Sequence, residues 1–143
     1  MPCMEMNGIA HIQLSVRDME RSRRFYKPLF EFLQMRVLID APIYFYAIGS
    51  RTGVALSPAE EPEEFHQRRV GLHHFCFRAR QREDVDATFA FMKDLDGATV
   101  VREPRDDSWA PGYYSMLVED PDGIRIEVNH VPGKGHLKDK TPQ

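Results

Sequence analysis

Two histidines and one glutamate stand at comparable places in short alternating segments of this chain. His11 lies near the start of Gly8-Ile9-Ala10-His11-Ile12-Gln13-Leu14-Ser15-Val16, and His74 near the start of Gly71-Leu72-His73-His74-Phe75-Cys76-Phe77-Arg78. Glu127 belongs to Ile124-Arg125-Ile126-Glu127-Val128-Asn129. Two neutral imidazoles and one carboxylate suit a borderline divalent ion such as Fe, Mn, Zn, Ni or Co, and leave coordination positions open for a substrate. The ion keeps about one net positive charge after pairing with one carboxylate, enough to hold an anionic oxygen and polarise it. A lone strand histidine is more often hydrogen-bonded or solvated. It is the set of three that points to metal.

These residues need elements that turn them to one side. Side chains alternate along a strand, so His11, Gln13 and Ser15 share a face while Ala10, Ile12, Leu14 and Val16 share the other. Glu127 lies with Arg125 and Asn129, opposite Ile124, Ile126 and Val128. His74 lies with Cys76 and Arg78, and His73 falls on the structural side unless the strand slips by one residue, which would exchange the two. His66, His130 and His136 have no partner pattern and are expected in solvent.

The strands sit in a supersecondary unit written twice. In the first half, Asp18 is placed to cap a helix over 19–33, with Met19, Phe25, Leu29, Phe32 and Leu33 as its apolar stripe and Pro28 as a weakness in its middle. Pro42, Gly49 and Gly53 then punctuate strands at 43–48 and 54–57, so the half reads β-α-β-β-β. Residues 58–69 are charged and proline-containing, as a linker is. The second half repeats the order, with a strand at 71–79 and a helix over about 83–95 carrying Val85, Phe89, Met92 and Leu95, ended at Gly97. Strands at 98–102, 113–119 and 124–130 follow, the last two joined by the turn Asp120-Pro121-Asp122-Gly123. The tail, 132–143, is expected to be mobile or to serve a subunit contact. If two such halves curl their sheets together, their polar faces line a shared cavity and His11, His74 and Glu127 converge.

Composition narrows the partners. A chain of 143 residues holds one well-buried domain or two halves sharing a core. A net charge of -3 gives no electrostatic footprint for nucleic acid or an anionic membrane, so a small-molecule substrate is expected. No apolar run reaches bilayer length and the N-terminus lacks the features of a signal peptide, which implies a cytoplasmic protein. Cys3 and Cys76 are too few for a disulfide framework and read as free thiols, Cys76 as a buried one.

The chain resembles the vicinal oxygen chelate superfamily, which includes glyoxalase I, fosfomycin-resistance thiol transferases, extradiol ring-cleaving dioxygenases, methylmalonyl-CoA epimerase and the metal-free bleomycin-resistance proteins. The carriers are Ile9-Ala10-His11-Ile12-Gln13-Leu14-Ser15-Val16-Arg17-Asp18 with Phe25-Tyr26, then Gly71-Leu72-His73-His74-Phe75, then Glu119-Asp120-Pro121-Asp122-Gly123-Ile124-Arg125-Ile126-Glu127. The resemblance implies an α+β, glyoxalase-like fold: two βαβββ modules forming a curled mixed sheet around a shared cavity. It covers one domain over 8–131, with module one at 8–57, a linker at 58–69, module two at 70–131 and a tail at 132–143.

By the same resemblance, each half lends one ligand from its first strand and one from its last. These positions are His11, His74 and Glu127, with the remaining one at about Ala55. Alanine cannot ligate, which argues against the glyoxalase I and epimerase branches and leaves a two-histidine, one-glutamate set like that of the dioxygenases and fosfomycin enzymes. The expected protein is thus a metal-dependent enzyme, using Fe, Mn, Zn or Ni on adjacent oxygens of a small substrate, with lyase, dioxygenase or thiol-transferase chemistry. The competing class is a binding protein that sequesters a flat or hydrophobic ligand. Gly53, Ala55 and Ser57 read as a small wall that admits substrate beside the ion, or else as room for side chains of another strand. Trp109, Tyr113 and Tyr114 read as an aromatic wall or lid, an apolar wall before a catalytic one, with one tyrosine, Tyr113 or Tyr114, facing the cavity as a candidate hydrogen-bond donor or acid. Arg78 and Arg125 are the candidates for an anion pocket. A homodimer is expected by analogy.

Overall fold

The computed structural model describes residues 1–61 and 63–133. His136 and most of the tail therefore lie outside the described residues. The chain falls into two compact units, residues 1–64 and 65–143.

In the first unit, β1 (His11–Val16) leads into α1 (Met19–Phe32), followed by β2 (Arg36–Ala41), β3 (Tyr44–Gly49) and β4 (Thr52–Pro58). The four strands form one sheet in the order β1-β4-β3-β2, with β1 parallel to β4 and the other pairs antiparallel. Asp18 caps α1: its Oδ1 accepts from the Arg21 N–H at 3.0 Å. Pro28 has no N–H to give the helix, yet α1 runs on for four more residues because Leu29 and Phe30 are anchored in the core. The buried stripe is Met19, Ser22, Phe25, Tyr26, Leu29 and Phe30. Phe32, expected in it, is 41% exposed: it shares the face of Phe25 but is the last residue of the helix, beyond the buried part of the stripe. Phe25, Tyr26, Phe30 and Phe45 form a chain of ring contacts between α1 and the sheet, at centroid separations of 5.0, 5.4 and 6.1 Å. Each such fully buried side chain contributes roughly 1.5–3 kcal/mol of burial.

The second unit repeats the plan with β5 (Phe75–Arg78), α2 (Arg82–Met92), β6 (Thr99–Asp107), β7 (Tyr113–Glu119) and β8 (Arg125–His130). Its sheet runs β5-β8-β7-β6, again with the first and last strands parallel. The fold is α+β and glyoxalase-like, two open four-stranded mixed sheets with one helix each.

Strand β5 is shorter than the alternation of 71–79 implies, and His74 sits immediately before it. Helix α2 ends at Met92, short of Leu95, whose N–H bonds to the Met92 carbonyl in a tighter turn. Only Val85, Thr88 and Met92 of α2 are buried. Strand β6 continues to Asp107, past the expected 102. It is an edge strand, where Pro104 costs no ladder bond to a further neighbour, and its pairing with β7 shifts register on both sides of Arg102. In the turn to β8, Asp120 Oδ1 accepts from the N–H groups of Asp122 and Ile124, both at 2.8 Å, and Gly123 takes φ +85°. Among the described residues, no helix is long and apolar enough to cross a membrane.

Candidate functional site

The polar face of the second sheet is built by register. Cys76 on β5 pairs with Glu127 on β8, Leu117 on β7 pairs with Glu127, and Ser115 pairs with Asn129. With two-residue alternation, Cys76, Tyr113, Ser115, Glu127 and Asn129 all face one side. His74 reaches the same side from just ahead of β5, its Nε2 3.8 Å from Glu127 Oε2. That is too long for a hydrogen bond, and it falls within the separation of ~3 to 4 Å open to two ligands of one ion with bonds of about 2.1 Å. The other nitrogen, His74 Nδ1, lies 2.7 Å from His73 Nδ1. One ring must donate and the other accept, and when His74 donates, its Nε2 keeps a lone pair on the side of Glu127.

Glu127 is held from several directions. Its side chain is 13% exposed. The Tyr113 hydroxyl donates to Oε2 at 3.0 Å, and Asn129 Nδ2 donates to the Tyr113 oxygen at 3.2 Å. Burial, against the hydrogen bond from Asn129 and reinforced by the Glu127 charge, pushes the Tyr113 phenol up to about 12. Arg102 stands on the other side, Nη2 3.8 Å from Glu127 Oε1, with Nη1 donating to the Ser115 carbonyl and Nη2 to Ser115 Oγ, both at 2.8 Å. Cys76 is a free thiol with accessible surface, contrary to the buried position expected of it. Even so, the protein packed around its sulfur, followed by the Glu127 charge, raises its pKa well above the usual thiol range. It is a protonated neighbour of the carboxylate.

The polar face of the first sheet is plainer. His11 pairs with Gly53, Gln13 with Ala55 and Ser15 with Ser57. Gln13 Nε2 donates to Ser57 Oγ at 3.0 Å, and His11 meets the Tyr46 ring edge-on at 6.3 Å. A Cβ built on Gly53 would come within 2.2 Å of Tyr46 Cε2, so the room left by this glycine is filled by the Tyr46 ring. The small wall thus serves packing from the neighbouring strand at Gly53. Ala55 itself is fully buried.

Among the described residues, no group of three or more His, Cys, Asp and Glu side chains is gathered to hold a metal ion. The second unit brings together His74 and Glu127; His11 belongs to the first. Of the two candidate tyrosines, Tyr113 is the one on the Glu127 face. Tyr114 is buried on the helix side, where its hydroxyl donates to Asp86 Oδ1 and Arg82 stacks 3.7 Å above its ring. Trp109, in the turn before β7, is 75% exposed. His130, expected in solvent, is half-buried with Nδ1 3.3 Å from the Ala79 carbonyl, because it ends β8 beside the exit of β5. Arg125 lies 3.9 Å from Glu119.

The sequence pattern passed over Arg102, Ser115 and Tyr46. A search for polar residues on the face of β7 would have found Ser115. Arg102 is hidden by the register shifts of β6, and Tyr46 by a cross-strand contact that no spacing encodes.

Comparison with known proteins agrees with this architecture. The uncharacterized protein YqjT of Bacillus subtilis (strain 168) is 29% identical over 121 residues, spanning 82% of this chain and 94% of that protein. A glyoxalase/bleomycin resistance protein from Albidiferax ferrireducens T118 superposes with a TM-score of 0.72 at 23% identity, over 86% of this chain and 98% of that one. A lactoylglutathione lyase from Agrobacterium tumefaciens gives 0.65 at 21% identity, over 88% and 95%. These two likenesses are of fold. Residues 8–128 match the family profile from the first strand to the last, and the chain belongs to the Glyoxalase/Bleomycin resistance protein/Dioxygenase superfamily.

Proposed function

We propose that this protein is a metal-dependent enzyme that binds adjacent oxygens of a small substrate, with His11, His74 and Glu127 as ligands of a divalent transition ion. Members of the superfamily bind small molecules and typically use a divalent metal. The observation that carries the reading is the pair His74 Nε2 and Glu127 Oε2 at 3.8 Å, each held by a further side chain, His74 by His73 at its other nitrogen and Glu127 by the Tyr113 hydroxyl. Preset ligands of this kind are what a metal site needs. His11 enters from the strand pattern and the family resemblance, as the contribution of a first unit, whether of this chain or of a second copy in a homodimer. When bound, the ion would supply a Lewis acid for developing negative charge on substrate oxygen. The chain supplies the rest: Glu127 offsets one charge, Tyr113 holds the carboxylate, and Cys76 lies alongside. Lyase, dioxygenase and thiol-transferase chemistries are all compatible with this donor set.

A second reading, a binding protein that sequesters a small molecule, is favoured by one feature: Ala55 leaves the last strand of the first unit without a ligand at the register position that Glu127 occupies in the second. Elemental analysis of protein purified without chelator or a histidine tag separates the two. About one ion per chain, lost in His74→Ala, is expected of the enzyme. Protein that holds no metal and takes up none of Fe, Mn, Zn or Ni overturns it in favour of sequestration.

A further inference from the structure

We infer that Arg102 is an anion-binding residue beside the proposed metal ligands, so that the substrate carries a carboxylate or similar oxyanion next to its chelating oxygens. This deepens the function proposed above and rests on it for the chelating part. Three observations carry the inference. First, the guanidinium is pinned: two of its five N–H groups bond to Ser115, whose side chain is fully buried, both at 2.8 Å. Closing the irregular pairing between β6 and β7 accounts for those two and leaves three donors in a fixed plane.

Second, its charge is only loosely matched. The Arg102 side chain is 18% exposed, and among the described residues its ion-pair partner is Glu127, at 3.8 Å. A carboxylate engaged by a divalent ion no longer neutralises that arginine, so the loaded site would present positive charge from two sources. Third, the guanidinium lies against the same carboxylate that His74 approaches from the other side, so an anion held by Arg102 must be close to oxygens held at Glu127. Arg78 is exposed on β5, and Arg125 lies beside Glu119. Both share the face of Glu127, but among the described residues the arginine paired with that carboxylate is Arg102. Arginine's planar fork matches a carboxylate, which makes the contact selective as well as attractive.

Catechol and 2,3-dihydroxybenzoate offer the same pair of adjacent oxygens and differ by one neighbouring carboxylate, so calorimetric titration of both into the full chain tests the inference. Wild-type protein is expected to prefer 2,3-dihydroxybenzoate by about 10- to 100-fold, the range of a charged hydrogen bond. Arg102→Gln is expected to abolish the preference and leave metal content unchanged. Arg102→Met, of similar length and uncharged, is made beside it so that a folded variant, verified by thermal melting, carries the comparison. A preference that survives in either folded variant overturns the inference, as does equal binding of the two probes, or binding of neither, by wild-type protein. Metal content is read in parallel and reports on the proposed function alone. In a protein that takes up no metal, a carboxylate preference that disappears without Arg102 still supports the anion site.

Discussion

The two units carry the same strands in the same order, with their first and last strands parallel, and they spend their side chains differently. The first unit invests in its helix face: Phe25, Tyr26, Leu29 and Phe30 of α1 are completely buried. Its polar face is sparse, with Gly53 filled by Tyr46 and Ala55 opposite Gln13. The second unit buries only Val85, Thr88 and Met92 from α2, and crowds its polar face with His74, Cys76, Arg102, Tyr113, Glu127 and Asn129. Register makes the contrast concrete, since Ala55 stands opposite Gln13 as Glu127 stands opposite Cys76. A repeated scaffold can thus divide its labour, one copy weighted toward core packing and the other toward polar chemistry.

The largest expected effect tests the packing side of that contrast. Phe25→Ala should destabilise the protein by about 3–5 kcal/mol, and Val85→Ala in the second helix by roughly 2 kcal/mol, as read from urea unfolding midpoints at constant slope. Equal losses would mean that the two helices are anchored alike.

A smaller effect tests how the first polar face is filled. Gly53→Ala places a methyl group into the Tyr46 ring and should cost about 1–3 kcal/mol. Adding Tyr46→Ala should recover most of the Gly53→Ala penalty within a double-mutant cycle. Independent, additive penalties would show that the ring does not oppose the new methyl.

Legibility followed the same division. The repeated β-α order, the Asp18 cap and the Asp120-Pro121-Asp122-Gly123 turn were readable because each is a local device: alternation, a side-chain acceptor, a proline followed by a residue that tolerates positive φ. The strand β2 was implied by the order of elements but could not be delimited. It is an edge strand with a register shift between Val37 and Ile39, so its exposure does not alternate. His11, His74 and Glu127 could be singled out by type and period. The neighbours that organise Glu127 could not, because Arg102 follows an irregular pairing and Tyr113 reaches the carboxylate diagonally across β7 and β8. Adjacent tyrosines must alternate, so sequence could say that Tyr113 and Tyr114 part company and not which one meets Glu127.

Tyr113→Phe probes the polar side of the comparison directly. If the hydroxyl orients Glu127 as a ligand, its loss should weaken metal affinity by about 10-fold, at the low end of what is usual for a residue that supports a ligand. Competition titration against a chromophoric chelator measures this without reference to turnover. The parallel change in the other unit, Tyr46→Phe, should leave affinity unaltered, and an equal loss there would erase the proposed division.

The smallest effect is a pH dependence. Burial of Tyr113, aided by the Glu127 charge, disfavours the phenolate, so its folded pKa of about 12 lies above the ordinary value near 10. Between those two values the folded state holds more protons than the unfolded one. The contribution of Tyr113 is therefore complete below pH ~10 and declines as pH rises toward about 12. Lys27, raised by its hydrogen bond to Asp40, gives the first unit an alkaline decline of the same sign at the surface. The two are separable, because ultraviolet absorbance follows phenolate and not ammonium. The late-titrating phenol fraction of the folded protein, to which Tyr114 also contributes through its hydrogen bond to Asp86, should shrink in Tyr113→Phe, whose stability should then fall less steeply over that range. A late-titrating fraction that Tyr113→Phe leaves unchanged would show that Tyr113 lies outside the sheltered face that Glu127 defines.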